Sequence, residues 1–432
     1  MDIKDKISSL KEVIVQLLAK KNISVVLFSV LIVGIFATET FRALSSISIV
    51  AIVLFSFLCI DSQSLQKLKA NKAILLLTFV FFLHLFGFFN TDFAHDTSYL
   101  SGRIMIKFPF LLLPFSILIL PKLSKEKYYF LLLVFVLCSF YVSFQAIIYY
   151  FNHKEEVNLL YLQSKTVPLP LNHVRFSLML SVSIFLAGYL CYKKVWFIHP
   201  VEVKIVGLIA LFLFVFLHYL SVRSGLLAFY VLAILLAFSY AYTTKKYRVM
   251  VLVLSLSLAL PIGSYFAIDT FKNKVKNTME DLNNSDQEYI ANFHSMTARF
   301  FSYRVAYKLI KKNPYFGVGI GNLDREVQKM YISSYPSIRS SSRLMPHNQF
   351  VDFTVAFGFI GLFVFILAFY GILFFKKYRG NIVILVQFLV ITISFLFEST
   401  LETQLGANFS LVLIIIPLYY LISNESREDK VA

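Results

Sequence analysis

Apolar runs of about 20 residues recur along the whole chain, separated by short polar stretches. A helix rising 1.5 Å per residue needs about 20 apolar residues to cross a hydrocarbon layer of about 30 Å. The runs do not alternate with a period of two. They therefore read as helices, and helices satisfy their own backbone in lipid. About twelve spans follow, at 23–38, 45–60, 72–90, 104–120, 128–151, 173–192, 203–222, 224–243, 247–268, 347–375, 381–397 and 407–423. The seventh and eighth are nearly fused at Ser221–Gly225.

This pattern divides the chain into five parts. Residues 1–22 form a segment in which Ile3, Ile7, Leu10, Ile14 and Leu17 recur at helical spacing, with Lys4, Lys6 and Lys11 off that stripe. That is the pattern of an amphipathic helix on the cytoplasmic membrane surface. Residues 23–268 carry helices 1–9, 269–346 form one large polar loop, 347–423 carry helices 10–12, and 424–432 form a cytoplasmic tail. The expected fold is an all-α polytopic membrane protein of about twelve transmembrane helices with a large, partly helical extracytoplasmic loop.

Composition agrees. The 432 residues are 58% hydrophobic and only 15% charged, against about 25% charged in soluble domains. The net charge of +17 would point to nucleic acid in a soluble protein. Here it follows from topology, because cytoplasmic loops collect Lys and Arg. With the N-terminus inside, the inner loops carry Lys67, Lys69 and Lys72; Lys122, Lys125 and Lys127; Lys193, Lys194 and Lys204; Lys245, Lys246 and Arg248; Lys376, Lys377 and Arg379. The short outer loops are poorer: Arg42; Arg103 and Lys107; Lys154 and Lys165; Arg223; and no basic residue in 398–406. Both termini are then cytoplasmic, and the partners expected are a lipid bilayer and no nucleic acid. Cys59, Cys138 and Cys191 lie in or beside apolar segments, without metal or disulfide spacing.

The large loop contains structure of its own. In residues 298–312, Phe301, Val305 and Leu309 make a helical apolar stripe, while Arg304, Lys308 and Lys311 make a basic face. Asn313–Pro314 ends that helix, which lies along the outer surface or caps the bundle. The "NNSDQE" at 283–288 reads as a solvated turn, and the "GVGIG" at 317–321 as tight turns and close backbone packing.

Candidate chemistry gathers at the outer helix ends. Arg223, Arg175 beside His173, Arg299, His347, Glu398 and Glu402 all fall at that level. One Arg there is a headgroup anchor, but several converging with a His make a candidate anion site. Arg binds phosphate bidentately and stays charged, which suits the pyrophosphate of a lipid-linked donor. A His titrates near working pH and can serve as general base toward an acceptor hydroxyl. His84 and His218 lie within spans without a visible partner and read as structural. The span centres lack the carboxylates that a coupled transporter needs. No metal-binding cluster is visible, and neither metal nor cofactor is expected.

"PHNQFVDFTVAFGFIGLF" resembles the signature of the O-antigen ligase and O-antigen polymerase superfamily: His347, Asn348, nine residues, then Gly358 and Gly361. "VRSGLLAFY" resembles its Arg-Ser-Gly segment, and "ARFFSYRVAYKLIKKNPYFGVGIGN" its loop segment, with Arg299, Tyr303, Pro314, Gly317 and Gly319 in place. Tyr303 stands where Trp is common. "LETQLGANF" is also similar, and the resemblance spans roughly residues 173–410. It implies an inverting glycosyltransferase of the bacterial inner membrane with a large periplasmic loop, active at the periplasmic face, and the scattered carboxylates point to a metal-independent reaction. The donor would be a glycan on undecaprenyl pyrophosphate, and the acceptor lipid A–core in a ligase or another glycan in a polymerase. His347 matches the base, and Arg223 and Arg299 match the residues that hold pyrophosphate. Arg175, Arg304, Asn348 and Tyr303 are supporting candidates. A lipid-linked glycan transporter or flippase is the alternative from a different class.

Overall fold

The structure is a computed structural model that describes residues 20–62, 64–92, 97–162, 165–283 and 287–428. The predicted amphipathic stripe lies outside the described residues over 1–19, as do 284–286 of the expected turn and 429–432 of the tail. All regular structure among the described residues is helical. Among the described residues, nine helices are long and apolar enough to cross a membrane. They are α3 (Lys72–Asn90), α4 (Thr97–Ile119), α5 (Lys125–Asn152), α7 (His173–Tyr192), α8 (Glu202–Leu220), α9 (Arg223–Thr244), α10 (Tyr247–Ala267), α14 (Gln349–Phe374, its α-helical part ending at Tyr370) and α16 (Gln404–Glu428). The remaining predicted segments are the shorter apolar helices α1 (Lys20–Phe36), α2 (Leu44–Phe57) and α15 (Ile382–Phe397). With 14 residues, α2 is only about 21 Å long. Between the spans lie α6 (Lys154–Leu162), then α11 (Asp269–Asn283), α12 (Ser295–Lys312) and α13 (Leu323–Ser334), which build the large loop.

The bundle is organised around α16. Its apolar window is 89% buried, whereas that of α10 is 6% buried and packs mainly on α9. A helix apolar on every side belongs at the centre of the protein, and α4, α15, α5 and α1 surround it. One end of the bundle gathers the start of α1 and the end of α16, where the Tyr419 hydroxyl donates to Ser24 Oγ at 3.2 Å. The same end holds Leu123, whose N–H donates to Ser423 Oγ, and Asn71, which accepts from Lys377. These segments carry three of the five predicted basic clusters, those at Lys67–Lys72, Lys122–Lys127 and Lys376–Arg379. The opposite end gathers the starts of α7, α14 and α16 and the end of α15. The connection between α8 and α9 is the two residues Ser221 and Val222, with Ser221 left-handed at φ 52°.

Two spans depart from simple helices. The α3 segment is 3₁₀ over Lys72–Thr78, α-helical over Phe79–Leu85 and 3₁₀ again over Phe86–Asn90. The α14 span is broken at Gly358, where φ is 68° and ψ −174°. The break removes two helical rungs, and residues 314–319 replace them. Val318 N–H donates to the Val355 carbonyl at 2.8 Å, and Gly319 N–H to that of Ala356 at 3.0 Å. Phe359 N–H donates to the Pro314 carbonyl at 2.8 Å, and Ile360 N–H to that of Tyr315 at 3.3 Å. This corrects the expectation of one continuous span over 347–375. The "GVGIG" is close backbone packing, as expected, and its partner is the broken helix. Gly317 and Gly319 are left-handed, and a side chain on Gly317 would strike the Ala356 backbone.

A second correction concerns Arg103 and Lys107, which were expected in an outer loop. Both lie within α4 and are buried. Lys107 Nζ donates to Glu402 Oε2 at 2.9 Å and to the Leu401 carbonyl at 2.7 Å. Arg103 pairs with Glu402 and with Asp352 Oδ2, the latter at 3.2 Å. Gln349 closes the group: its Nε2 donates to Glu402 Oε1 at 2.9 Å, and its Oε1 accepts from Leu401 N–H at 2.7 Å. Two cations facing two carboxylates leave no excess buried charge. The strap 398–403 is thereby tied to α4 and to the first turn of α14.

Removing one partner of a buried pair strands the others, at about 3–5 kcal/mol. Glu402→Ala is therefore expected to lower the unfolding temperature of the detergent-solubilised protein, with most of it lost from the folded fraction. Gly358→Ala is expected to destabilise by about 1–3 kcal/mol from backbone strain alone, with the Tyr315 carbonyl in the way of the new methyl. Gly102→Ala meets nothing within 4 Å. It should stay within about 1 kcal/mol of the parent, and the same melting assay compares the two.

Candidate active site

The helix expected in the large loop forms as α12 and ends at Asn313. Phe301, Val305 and Leu309 are each 1% exposed and face inward, and α12 packs on α14. That contact brings Arg299 and Tyr303 beside the segment before α14. The loop helix therefore caps this end of the bundle.

His347 sits just outside the half-helix, and its backbone is clamped from three sides. The Tyr303 hydroxyl donates to the His347 carbonyl at 3.0 Å. Ser399 Oγ donates to the Pro346 carbonyl at 2.5 Å. Asn348 is the N-cap, its Oδ1 accepting from Phe350 N–H at 2.9 Å and Val351 N–H at 3.1 Å. The Asn348 Nδ2 donates to the Leu396 carbonyl of α15 at 3.1 Å. Three helices thus fix one residue whose side chain remains 27% exposed. The candidate base is rigid in its backbone and open at its ring. Burial raises the Tyr303 pKa, so its hydroxyl stays a donor at neutral pH.

The His347 side chain meets a carboxylate. Glu398, the residue that ends α15, has Oε1 at 3.7 Å from His347 Nδ1 and at 3.1 Å from Arg299 Nη2. Its Oε2 lies 3.9 Å from Arg175 Nη2. Burial pushes the Glu398 carboxyl upward, but His347, Arg299 and Arg175 outweigh it and hold the group below the usual carboxylate range. It is ionised at neutral pH. The Arg299 side chain is 30% exposed. One of its Nη atoms is engaged with Glu398, and a guanidinium offers five N–H donors.

The structure thus brings together His347, Arg299, Tyr303, Asn348 and Arg175. Arg223 opens α9, one helix along. Gly225 of α9 packs against Ser177 of α7, each two residues beyond its own arginine, and α9 also packs on α15. The N-cap of α9, Val222, supplies no side-chain cap, and the buried Ser224 Oγ has no hydrogen-bond partner among the described residues. Arg304 belongs elsewhere: its guanidinium lies over the rings of Phe300 and Phe301, at 4.3 and 5.1 Å. Five residues from Arg299, it points about 140° away around the helix.

The two intramembrane histidines have structural partners. His84 Nδ1 bonds the Val80 carbonyl at 2.8 Å and its ring lies edge-on to Phe353 and Phe357. His218 Nε2 bonds the Tyr230 hydroxyl at 2.7 Å. A side chain on Gly361 would strike Phe357 of its own span, and Leu83 of α3 lies 3.7 Å from that position. Glu398 was marked only by its place at the outer helix ends, with no role assigned, and Asp352 was not singled out. A signal for Asp352 existed, since a carboxylate inside an apolar run marks a special environment. Glu398 had only its level at the outer interface to mark it.

Two comparisons bear on this geometry. The family model described as O-antigen ligase matches residues 206–366. No curated protein matches the chain. The matched stretch contains Arg223, Arg299, Tyr303, His347 and the Gly358 break, and excludes Arg175 and Glu398. Over residues 206–366 the chain is thus similar to the O-antigen ligase family.

Proposed function

We propose that the protein is an inverting, metal-independent glycan transferase of the ligase type, acting at the periplasmic face of a bacterial inner membrane. The donor is a glycan on undecaprenyl pyrophosphate, and the acceptor is a hydroxyl of lipid A–core or a similar glycolipid. The observation that carries this reading is the clamped His347 beside Arg299 at one end of an apolar bundle. A pyrophosphate in the headgroup layer reaches Arg299 while its isoprenoid tail stays in lipid. The uncapped start of α9 with Arg223 supplies further N–H donors for an anion.

The reaction then needs little more. The acceptor hydroxyl attacks the anomeric carbon, and its proton passes to the free imidazole nitrogen of His347. The bond from that carbon to the phosphate oxygen breaks, and its electron pair leaves with undecaprenyl pyrophosphate. Attack opposite the leaving group inverts the anomeric centre. Arginines that meet the charge developing on the leaving oxygens stabilise the transition state. Tyr303 and Asn348 hold the base rather than react.

Carrier-linked glycan extracted from cells deleted for the protein provides a donor for proteoliposome assays. His347→Ala is expected to lower the transfer rate by about 10²–10⁴-fold, with the protein still folded in the membrane. Normal transfer by this variant would overturn the reading. Arg299→Lys keeps the charge and loses the planar fork. It is expected to raise the donor KM by roughly 10- to 100-fold, the worth of one charge-assisted hydrogen bond at about 1.5–3 kcal/mol. The deletion phenotype separates ligase from polymerase. Bare core with accumulated carrier-linked glycan marks a ligase, and core capped by a single repeat marks a polymerase.

A further inference from the structure

We propose that Glu398 is a positioning residue for the base: it holds His347 in the tautomer with the proton on Nδ1, leaving Nε2 to accept the acceptor's proton. The inference rests on reading His347 as the base and adds a residue outside the matched family stretch.

Three observations lead to it. The Glu398 carboxylate is only 13% exposed, and Oε1 is the oxygen nearest His347 Nδ1, at 3.7 Å. The His347 backbone cannot drift, being held through Tyr303, Ser399 and Asn348. The carboxylate cannot drift either: Arg299 anchors Oε1 at 3.1 Å, Arg175 faces Oε2 at 3.9 Å, and Glu398 N–H donates to the Ser394 carbonyl at 2.8 Å. An acid–base His is oriented by the group on its other nitrogen. In an unliganded site such a bond is often long and tightens with substrate.

The electrostatics run the same way. When Nε2 takes the acceptor's proton, the imidazole becomes a cation beside Arg299 and Arg175. A carboxylate on Nδ1 offsets that charge as it forms. Other ionisable groups around this centre, among the described residues, include Tyr303 on α12, His173 on α7 and Lys274 on α11. None of them supplies a negative charge at neutral pH. Glu398 is thus the one anion in this group of residues.

Glu398→Gln removes the charge at constant shape. With the extracted carrier-linked glycan as probe, we expect kcat to fall by roughly 10- to 100-fold, a share of what base catalysis contributes. The donor KM should stay the same or fall, because Arg299 and Arg175 lose a competing anion. The acid limb of the pH–rate profile should move, and Glu398→Asp should recover part of kcat. A kcat loss with a displaced acid limb supports the proposal. Unchanged kcat, or a loss carried wholly by a higher donor KM, overturns it. Should Glu398→Gln fail to fold, Glu398→Asp carries the test: reduced kcat at unchanged donor KM supports the role, and parental kcat overturns it. His347→Ala run alongside keeps the two ideas apart. An active His347→Ala defeats the base assignment itself. An inactive His347→Ala with parental Glu398→Gln defeats only the positioning role.

Discussion

The backbone of residues 314–319 docked into the broken α14 is the contact on which the site depends. A helix interrupted beside lipid exposes carbonyls and N–H groups, at several kcal/mol each when unpaired. Here the two lost rungs expose four groups, and the loop pairs all four. The half-helix Gln349–Phe357 therefore stops where it does because the loop holds it there. Its start, and with it His347, is placed by the same contact. The loop that pairs the break also follows directly on α12, so Arg299 and Tyr303 are brought to His347 by the element that stabilises the interruption.

The strap between α15 and α16 completes the arrangement from the other side. Its far half, at Leu401 and Glu402, is tied to Lys107, Arg103 and Gln349 inside the bundle. Its near half carries Glu398 and Ser399 against the His347 segment. Two carboxylates four residues apart thus have different neighbours. Glu402 is enclosed by two cations and holds the architecture. Glu398 shares partly exposed partners and faces the open ring of His347. Opposing charges in a buried group hold a geometry only when every member is present, which explains why the strap and the half-helix act as one unit.

The resemblance to the superfamily signature gains a physical reading from this. The nine residues between Asn348 and Gly358 are the length of the half-helix. Asn348 is needed as a cap that also reaches α15. Gly358 is needed because a left-handed turn must leave room for the Tyr315 backbone. The Gly-x-Gly of the loop lets residues 317–319 lie flat against the Val355 and Ala356 carbonyls. A motif scattered over two segments is one interlocked structure.

What the sequence determined by itself was the set of apolar helices, their relative ends and the level of the polar residues. Those follow from run length, Lys and Arg distribution and helical spacing, which are local properties that solvent and lipid impose on any chain. The α12 stripe of Phe301, Val305 and Leu309 was legible for the same reason. The break at Gly358 was not, since a glycine in an apolar run permits a continuous helix until a loop arrives to pair the freed backbone. Arg103 and Lys107 were misplaced because charge near a span end reads as loop unless a carboxylate far along the chain is known to meet it. Glu398 and Glu402 lie about 300 residues or fewer from their partners in sequence and within a few ångströms in space. Only the tertiary structure decided which carboxylate holds the core and which faces His347, because that choice is made by long-range packing rather than by any local pattern.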